Sequence, residues 1–459
     1  MQESCLSDIA CGNMVWMIVR EAKLLNGSLA QYQALDEAIR TAQFVRNKAV
    51  RLWRDEPKVN KGRLSLLCKE LAHAQEYPWV KKLNSMARQA SAERAWNSIS
   101  SFYRRCREGA NKKGYPQFKK HSRNGFADAA RTVEYKTTGW KLSEDCLTIN
   151  FTDGFQAGRF SLFCNHETRE DLFRLKINWV RVVRRVDGYY AQFCFDANRK
   201  EKGNYTGNVI GIDLGLKYFY KDQNDNAAIY PKYLRRAEKR IKKLQRRLSR
   251  KFVKGNKPQS NNYHKARIRL GLAHLKVQRQ RKDWAVKLAR CVVHSNDVVV
   301  YEDLKIKNMV KNHHLAKSIY DASWYQFTQW LDYFGKVWDK TVIAVAPNYT
   351  SQDCSNCGHR VKKSLSTRTH QCQRCHTEIC RDTNAALNIL NKGMKILGVE
   401  YNSAATPHGF PVLGNPHQES TQGHWETAGK PGTLGESSTA VDEGKPDSIS
   451  CLAEPGITL

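Results

Sequence analysis

Asn208-Val-Ile-Gly-Ile-Asp-Leu-Gly-Leu216 is an apolar run interrupted by one acid, Asp213. A run so short and so apolar reads as a buried strand. An ionised carboxylate inside it is costly unless it binds a cation or accepts hydrogen bonds. Downstream, residues 298–301 form a second buried run that ends at Glu302. Residues 324–338 carry helical periodicity, and 342–345 read as another strand. Residues 381–390, RDTNAALNIL, place Asp382 at the start of an apparent helix. Strand and helix therefore alternate from residue 206 onward, the mark of an α/β unit.

Three acids delivered by two strands and a helix suit a two-metal, phosphodiester-cleaving centre. Magnesium fits, because it takes hard oxygen ligands and leaves room for phosphate oxygens. Each acid has a plainer reading. Asp213 could bond backbone amides, Asp382 could be a helix N-cap, and either Glu302 or its neighbour Asp303 could be merely exposed.

Just before the third acid come Cys354-Ser-Asn-Cys357 and Cys372-Gln-Arg-Cys375, fourteen residues apart. Two such knuckles supply four thiolates, a closed tetrahedral shell for a structural zinc ion. His359, His370, His376 and Cys380 are weaker candidates for the same role. Nine further cysteines are scattered singly. In a long basic chain that pattern argues for a reducing, intracellular setting rather than a disulfide scaffold.

Between the two buried strands lies a basic helical hairpin. Leu234, Ala237, Ile241, Leu244 and Leu248 follow a 3-4-3-4 spacing, a narrow seam on one helix. Residues 232–251 hold eleven Lys or Arg against Glu238 alone. Residues 264–290 read as the return helix. Arg246, Arg247 and Arg250 are candidate phosphate contacts. So are Lys119 and Lys120 in the broken basic loop NKKGYPQFKKHSR, whose Tyr115 and Phe118, with Phe126 beyond it, could stack on unpaired bases.

Residues 126–195 turn to strands without long helices, with Asp187-Gly188 as a hairpin signal. They predict a small antiparallel β-barrel, a common nucleic-acid grip. Before them, residues 29–54 and, with a less regular face, 80–107 read as helices. Residues 14–19 read as a short strand.

The chain has 459 residues and a net charge of +32. Such self-repulsion calls for a polyanionic partner, nucleic acid before membrane. No apolar stretch approaches the length that spans a bilayer. Residues 400–459 hold eight acids against two lysines, so the preceding 399 residues carry +38. Rich in Pro and Gly, this tail is expected to be disordered.

The order of these pieces resembles the TnpB (OrfB) family of insertion-sequence proteins, related to type V CRISPR effectors. The resemblance runs from about residue 28 to 393. It rests on GIDLG (211–215), LRRAEKRIKKLQRRLSRK, YEDLKIKNMVKN (301–312), DASWYQF (321–327), TSQDCSNCG (350–358) and RDTNAALNIL. It implies an RNA-guided DNA endonuclease, cytoplasmic, working with a transposon-derived guide RNA and target DNA and reading a short flanking motif itself. The implied fold is a multi-domain α+β chain. An N-terminal strand (1–27) would belong to a β-barrel wedge domain (126–205). A helical recognition lobe (28–125) would lie between them in sequence. A RuvC, ribonuclease-H-like nuclease with the basic hairpin (206–349), a zinc ribbon (350–380), a last RuvC segment (381–398) and the disordered acidic tail (399–459) would follow.

The family's three RuvC acids fall on Asp213, Glu302 and Asp382, and its zinc ligands on Cys354, Cys357, Cys372 and Cys375. Where the family often carries an acid, two residues before the third Asp, this chain has Cys380. Two other functions remain open at this level: an unguided transposition or recombination protein, and a non-enzymatic nucleic-acid-binding regulator.

Overall fold

The computed structural model describes residues 18–110, 112–119, 132–196, 201, 203–255, 258–364 and 367–399. The expected disordered tail lies outside them, as do Lys120, Phe126 and residues 14–17. The described chain divides into two units, one within Met1–Arg199 and Lys239–Lys276, the other within Lys200–Glu238 and Val277–Leu459.

The first unit holds β1 (Ile18–Leu25), β2 (Thr132–Tyr135), β3 (Trp140–Leu142), β4 (Thr148–Phe151), β5 (Gly158–Phe163), β6 (Ile177–Arg185) and β7 (Gly188–Phe195). They form one antiparallel sheet in the order β2-β6-β7-β1-β5-β4-β3. The expected barrel is not formed. β2 and β3 stand at opposite edges, and no ladder joins them among the described residues. A helix takes the place of closure. Helix α1 (Leu29–Asp55) lays Leu35, Ala38, Ile39 and Ala42 into one core with Phe151, Phe160 and Phe193 of the sheet. Apolar surface that a barrel would bury against itself is buried against α1 instead.

Ser28 and Gln31 start α1 with a reciprocal capping box. Its later turns present Val45, Ala49 and Val50 to α2 (Lys61–His73) and α3 (Ser85–Arg107). The helix expected over 80–107 begins only at Ser85, where Asn84 accepts from the Met86 and Ala87 N–H groups. Glu93 and Arg94, which break its apolar face, are held by polar partners. Glu93 pairs with Lys136 at 2.6 Å, and Arg94 donates to Thr132 at 2.8 Å. A short helix, α4 (His166–Arg174), follows β5.

The hairpin consists of α5 (Tyr233–Ser249) and α6 (Asn261–Ser295). Ile241, Leu244 and Leu248 of the predicted seam pack on Tyr263, Ala266 and Leu270.

The second unit is a mixed sheet covered on both faces. Its strands are β8 (Val209–Leu214), β9 (Tyr220–Asp222), β10 (Ala227–Ala228), β11 (Val298–Glu302) and β12 (Thr341–Val345), in the order β10-β9-β8-β11-β12. The contacts β8–β11 and β11–β12 are parallel, and the two involving β9 are antiparallel. α7 (Ile306–Met309), α8 (His313–Ala322) and α9 (Trp324–Trp338) lead from β11 to β12. The small hairpin β13 (Thr369–Gln371) and β14 (Glu378–Cys380) precedes α10 (Arg381–Ile396).

Alternation sorts the sheet's side chains. Ile210, Ile212, Val299 and Tyr301 face a core with Leu288 and Val292 of α6 and Phe327 and Leu331 of α9. Val298 and Val300 face the other way, against Ile389, Leu390 and Met394 of α10. That second contact is at backbone range. A Cβ at Gly211 would lie 2.4 Å from the Ala386 carbonyl oxygen, and one at Gly393 would lie 2.4 Å from Val300. No helix among the described residues is long and apolar enough to cross a membrane.

Candidate active site and metal centre

Strand parity decides where the acids go. Asp213 shares parity with Gly211, and Glu302 with Val298 and Val300, so both lie on the α10 face of the sheet. Glu302 is 7% exposed, whereas Asp303 is solvent-exposed. Asp382 sits in the first turn of α10, over the same face. It is not the N-cap; Cys380 holds that position, without a side-chain capping bond.

Asp213 feels both of the other acids. Burial, then the neighbouring Glu302 and Asp382 carboxylates, push the Asp213 carboxyl well above the usual range, with Arg381 opposing. Burial likewise raises Glu302, against the pull of a Thr350 hydrogen bond and the Lys392 charge. Burial and nearby charges, and no hydrogen bond, are what act on the Asp213 carboxyl among the described residues, so the backbone-bonded reading of this acid has no support. A buried carboxyl raised by two neighbouring carboxylates is the electrostatic setting that a divalent cation relieves. Arg381 donates to Asp382 Oδ1 at 3.1 Å, and Arg368 lies 3.9 Å from its other oxygen.

The cysteines form a tighter group. The ligand atoms of Cys354, Cys357, Cys372 and Cys375 all lie within 4.8 Å of one another. Their closest pairs, Cys354–Cys375 and Cys357–Cys372, are 3.6 and 3.5 Å apart. A tetrahedron with zinc–sulfur bonds of about 2.3 Å has edges of about 3.8 Å, so the four sulfurs fit zinc. The knuckles match in their backbone bonds. Gly358 N–H donates to the Cys354 carbonyl, and His376 N–H to that of Cys372, each at 2.9 Å. Gly358 has φ +73°, the left-handed turn that glycine favours; His376 adopts φ +56° in the second knuckle. The Thr377 hydroxyl and N–H draw the Cys375 thiol down to about 6. None of the substitute ligands joins this group: His370 is bonded to Lys363, and the Cys380 sulfur lies 3.3 Å from Lys221.

The ribbon reaches both flanking acids by contacts that sequence reasoning did not find. Thr350 Oγ1 donates to Glu302 Oε1 at 2.5 Å. From α10, Asn384 and Asn388, one turn apart, donate to the Asp353 carbonyl at 2.8 and 2.7 Å. Asn384 also accepts from the Ser355 N–H at 3.0 Å. The segment entering the first knuckle is thus pinned to the helix that carries Asp382. The i, i+4 spacing of the two asparagines was the available signal.

The basic candidates separate. Arg246, Arg247 and Arg250 are solvent-exposed, on or just beyond α5. Lys119 is half-buried. Burial and the Arg94, Arg46 and Arg181 charges lower its ammonium to about 8, and Asn47 and Gln43 bind its backbone. Tyr115 and Phe118 are exposed, with the Arg54 guanidinium 5.1 and 4.2 Å from their ring centres. The start of α5 is anchored by Asp321 of the DASW stretch, which accepts from the Leu234 and Arg235 N–H groups.

Two family profiles match the chain. OrfB_IS605, described as "Probable transposase", covers residues 192–313, and the Cas12f1-like TNB domain covers 324–389. Two bacterial relatives bear the name "Putative RNA-guided DNA endonuclease". The one from Streptomyces pristinaespiralis is 34% identical over 41% of this chain and 46% of its own length. The other, InsQ of Escherichia coli (strain K12), is 26% identical over 73% of this chain and 81% of its own length. The chain therefore spans under half of the first relative and most of the second. Among solved structures, a Cas12f1–sgRNA–target DNA complex matches 79% of this chain and 83% of its own, at 15% identity and a TM-score of 0.49.

Proposed function

We propose that this chain is a member of the TnpB (OrfB) family and a transposon-encoded, RNA-guided DNA endonuclease. The observation that carries the reading is the meeting of Asp213, Glu302 and Asp382 over one face of the mixed sheet, beside a four-thiol site. On this reading residues 206–349 and 381–398 are the RuvC-like nuclease, and 350–380 a zinc ribbon. Residues 28–125 are the recognition lobe, and the open sheet, entered by the strand within residues 1–27, is the wedge (126–205). The partners are a guide RNA and target DNA, and the setting is the cytoplasm.

The three carboxylates would hold magnesium, which when bound supplies positive charge to activate water and to offset charge on the cleaved phosphate. Everything else falls to the chain. Thr350 fixes the orientation of Glu302. The glycine-dependent seating of α10 brings Asp382 over Asp213. Arg246, Arg247, Arg250 and Lys119 would take nucleic-acid phosphates. Four thiolates leave no open position on zinc, so that ion is structural.

The test separates binding from chemistry. Asp213→Ala should keep guide and target affinity and melting temperature while cleavage falls by several orders of magnitude. Both are measured on one preparation whose copurifying RNA has been sequenced. A folded, binding-competent Asp213→Ala protein that cuts at the normal rate would remove this acid from the site. Binding and folding lost together would point to a structural aspartate and to a nucleic-acid-binding regulator. Cleavage without a defined RNA would favour an unguided transposition enzyme.

A further inference from the structure

Lys221 is a lysine at 8% exposure with an unusual address. In the β8–β9 ladder it stands directly opposite Asp213. Cross-strand partners share a sheet face, so Lys221 emerges beside the first candidate acid. No ion pair joins the two among the described residues. Its ammonium reaches the start of α10 instead, 3.3 Å from Cys380 Sγ and 3.4 Å from Thr383 Oγ1. There it also pairs with Asp225, from the β9–β10 turn, and Thr383 donates its hydroxyl to the same Asp225 carboxylate. Cys380 and Thr383 bracket Asp382 in sequence.

We propose that Lys221 is a positioning residue for the acid centre: with Asp225 it clamps the first turn of α10 and so sets Asp382 against Asp213. The argument is mechanical. β8 and β9 are locked in register by their ladder, so the lysine backbone is fixed relative to Asp213. Its ammonium and the Asp225 carboxylate hold residues on either side of Asp382. One buried cation on β9 thereby ties α10 to the strand paired with β8. The bracket acts on side chains of the first turn, the Cys380 sulfur and the Thr383 hydroxyl, and not on its backbone N–H groups. The positions of Asp213 and Asp382 are then coupled through a group that need not touch either carboxylate.

The inference rests on the reading of the acids as a divalent-ion centre, and its test has a readout apart from cleavage. The full chain, with its copurifying RNA, is compared with Lys221→Met, which removes the ammonium and keeps the stem. Mn²⁺ binding, followed by loss of the free-ion EPR signal and absent in Asp213→Ala, should weaken about ten- to a hundredfold, as when the partners of metal ligands are removed elsewhere. The Mg²⁺ concentration for half-maximal cleavage should rise in step. Target affinity should be unchanged, and Lys221→Arg should restore both ion readouts.

Unaltered Mn²⁺ binding and Mg²⁺ half-saturation in a folded Lys221→Met protein would overturn the proposal, leaving Lys221 a cation that matters only to stability. Should Lys221→Met fail to fold, Asp225→Asn, at a side chain 63% exposed, probes the same clamp. Unchanged Mn²⁺ binding there would overturn it equally. A wild-type chain that binds Mn²⁺ at the acids yet cuts no guided target would sink the endonuclease reading, while the Mn²⁺ comparison would still decide the role of Lys221.

Discussion

Thr350 is the residue on which the ribbon and the acid centre meet. Its hydroxyl donates to a buried carboxylate whose other influences are burial and the Lys392 charge. Hydrogen bonds to charged groups contribute about 1.5–3 kcal/mol. If that contribution holds Glu302 in its working orientation, Thr350→Val should slow cleavage by about ten- to a hundredfold. Zinc content and target affinity should stay as in the parent. A rate within a factor of about two of the parent, less than 0.5 kcal/mol, would show that Glu302 needs no such guide. The burial of Asp213 is legible in the sequence, because a lone carboxylate in an apolar strand has few inexpensive explanations. Parity then distinguishes Glu302 from Asp303, a choice that adjacent residues leave open until the face of the strand is known. Thr350 and Lys221 were not legible. Each acts through a contact made by tertiary folding, and threonine and lysine are too common for their position alone to signal it.

Among the elements, the helices with one regular apolar stripe were read closely. α1 and α9 begin and end within a residue or so of expectation, because a capping box or a dense aromatic face marks them. α2 and α4 went unread, being short and of mixed composition. The barrel was misread for a physical reason: alternation reports which strands have one buried face, not what buries it. Here the covering element is α1, which lies earlier in the chain than most of the sheet. The basic hairpin was read from its seam, and the exposed arginines follow from the same geometry. Replacing Arg246, Arg247 and Arg250 together by Gln should weaken guide or target binding and flatten the dependence of affinity on salt by about 0.7–0.9 per lost phosphate contact. Since Leu248 carries the packing in this segment, the melting temperature should hold. An unchanged salt slope would make these arginines solvating groups only.

At the scale of the whole molecule, charge is divided along the chain: the first 399 residues carry +38 and the remainder a net −6. α10 ends at Ile396, and the described chain at Val399. Since the candidate acids and thiols all precede residue 383, truncation after Val399 should leave guided cleavage within about tenfold of the full chain, or about 1.4 kcal/mol in barrier. A larger loss, measured at equal protein and RNA content, would give residues 400–459 a part in the reaction. The close seating of α10 on β8 and β11 bears on how this protein is made. Two of its acids lie on strands translated early, whereas the third arrives 80 residues after Glu302. At about 5–20 residues per second, that is a delay of about 4–16 s on the ribosome. Until α10 emerges and settles against Gly211, the nascent chain would have its basic surfaces but an incomplete set of the three acids. On the proposed function, a protein still being synthesised would engage its RNA before it could cut DNA.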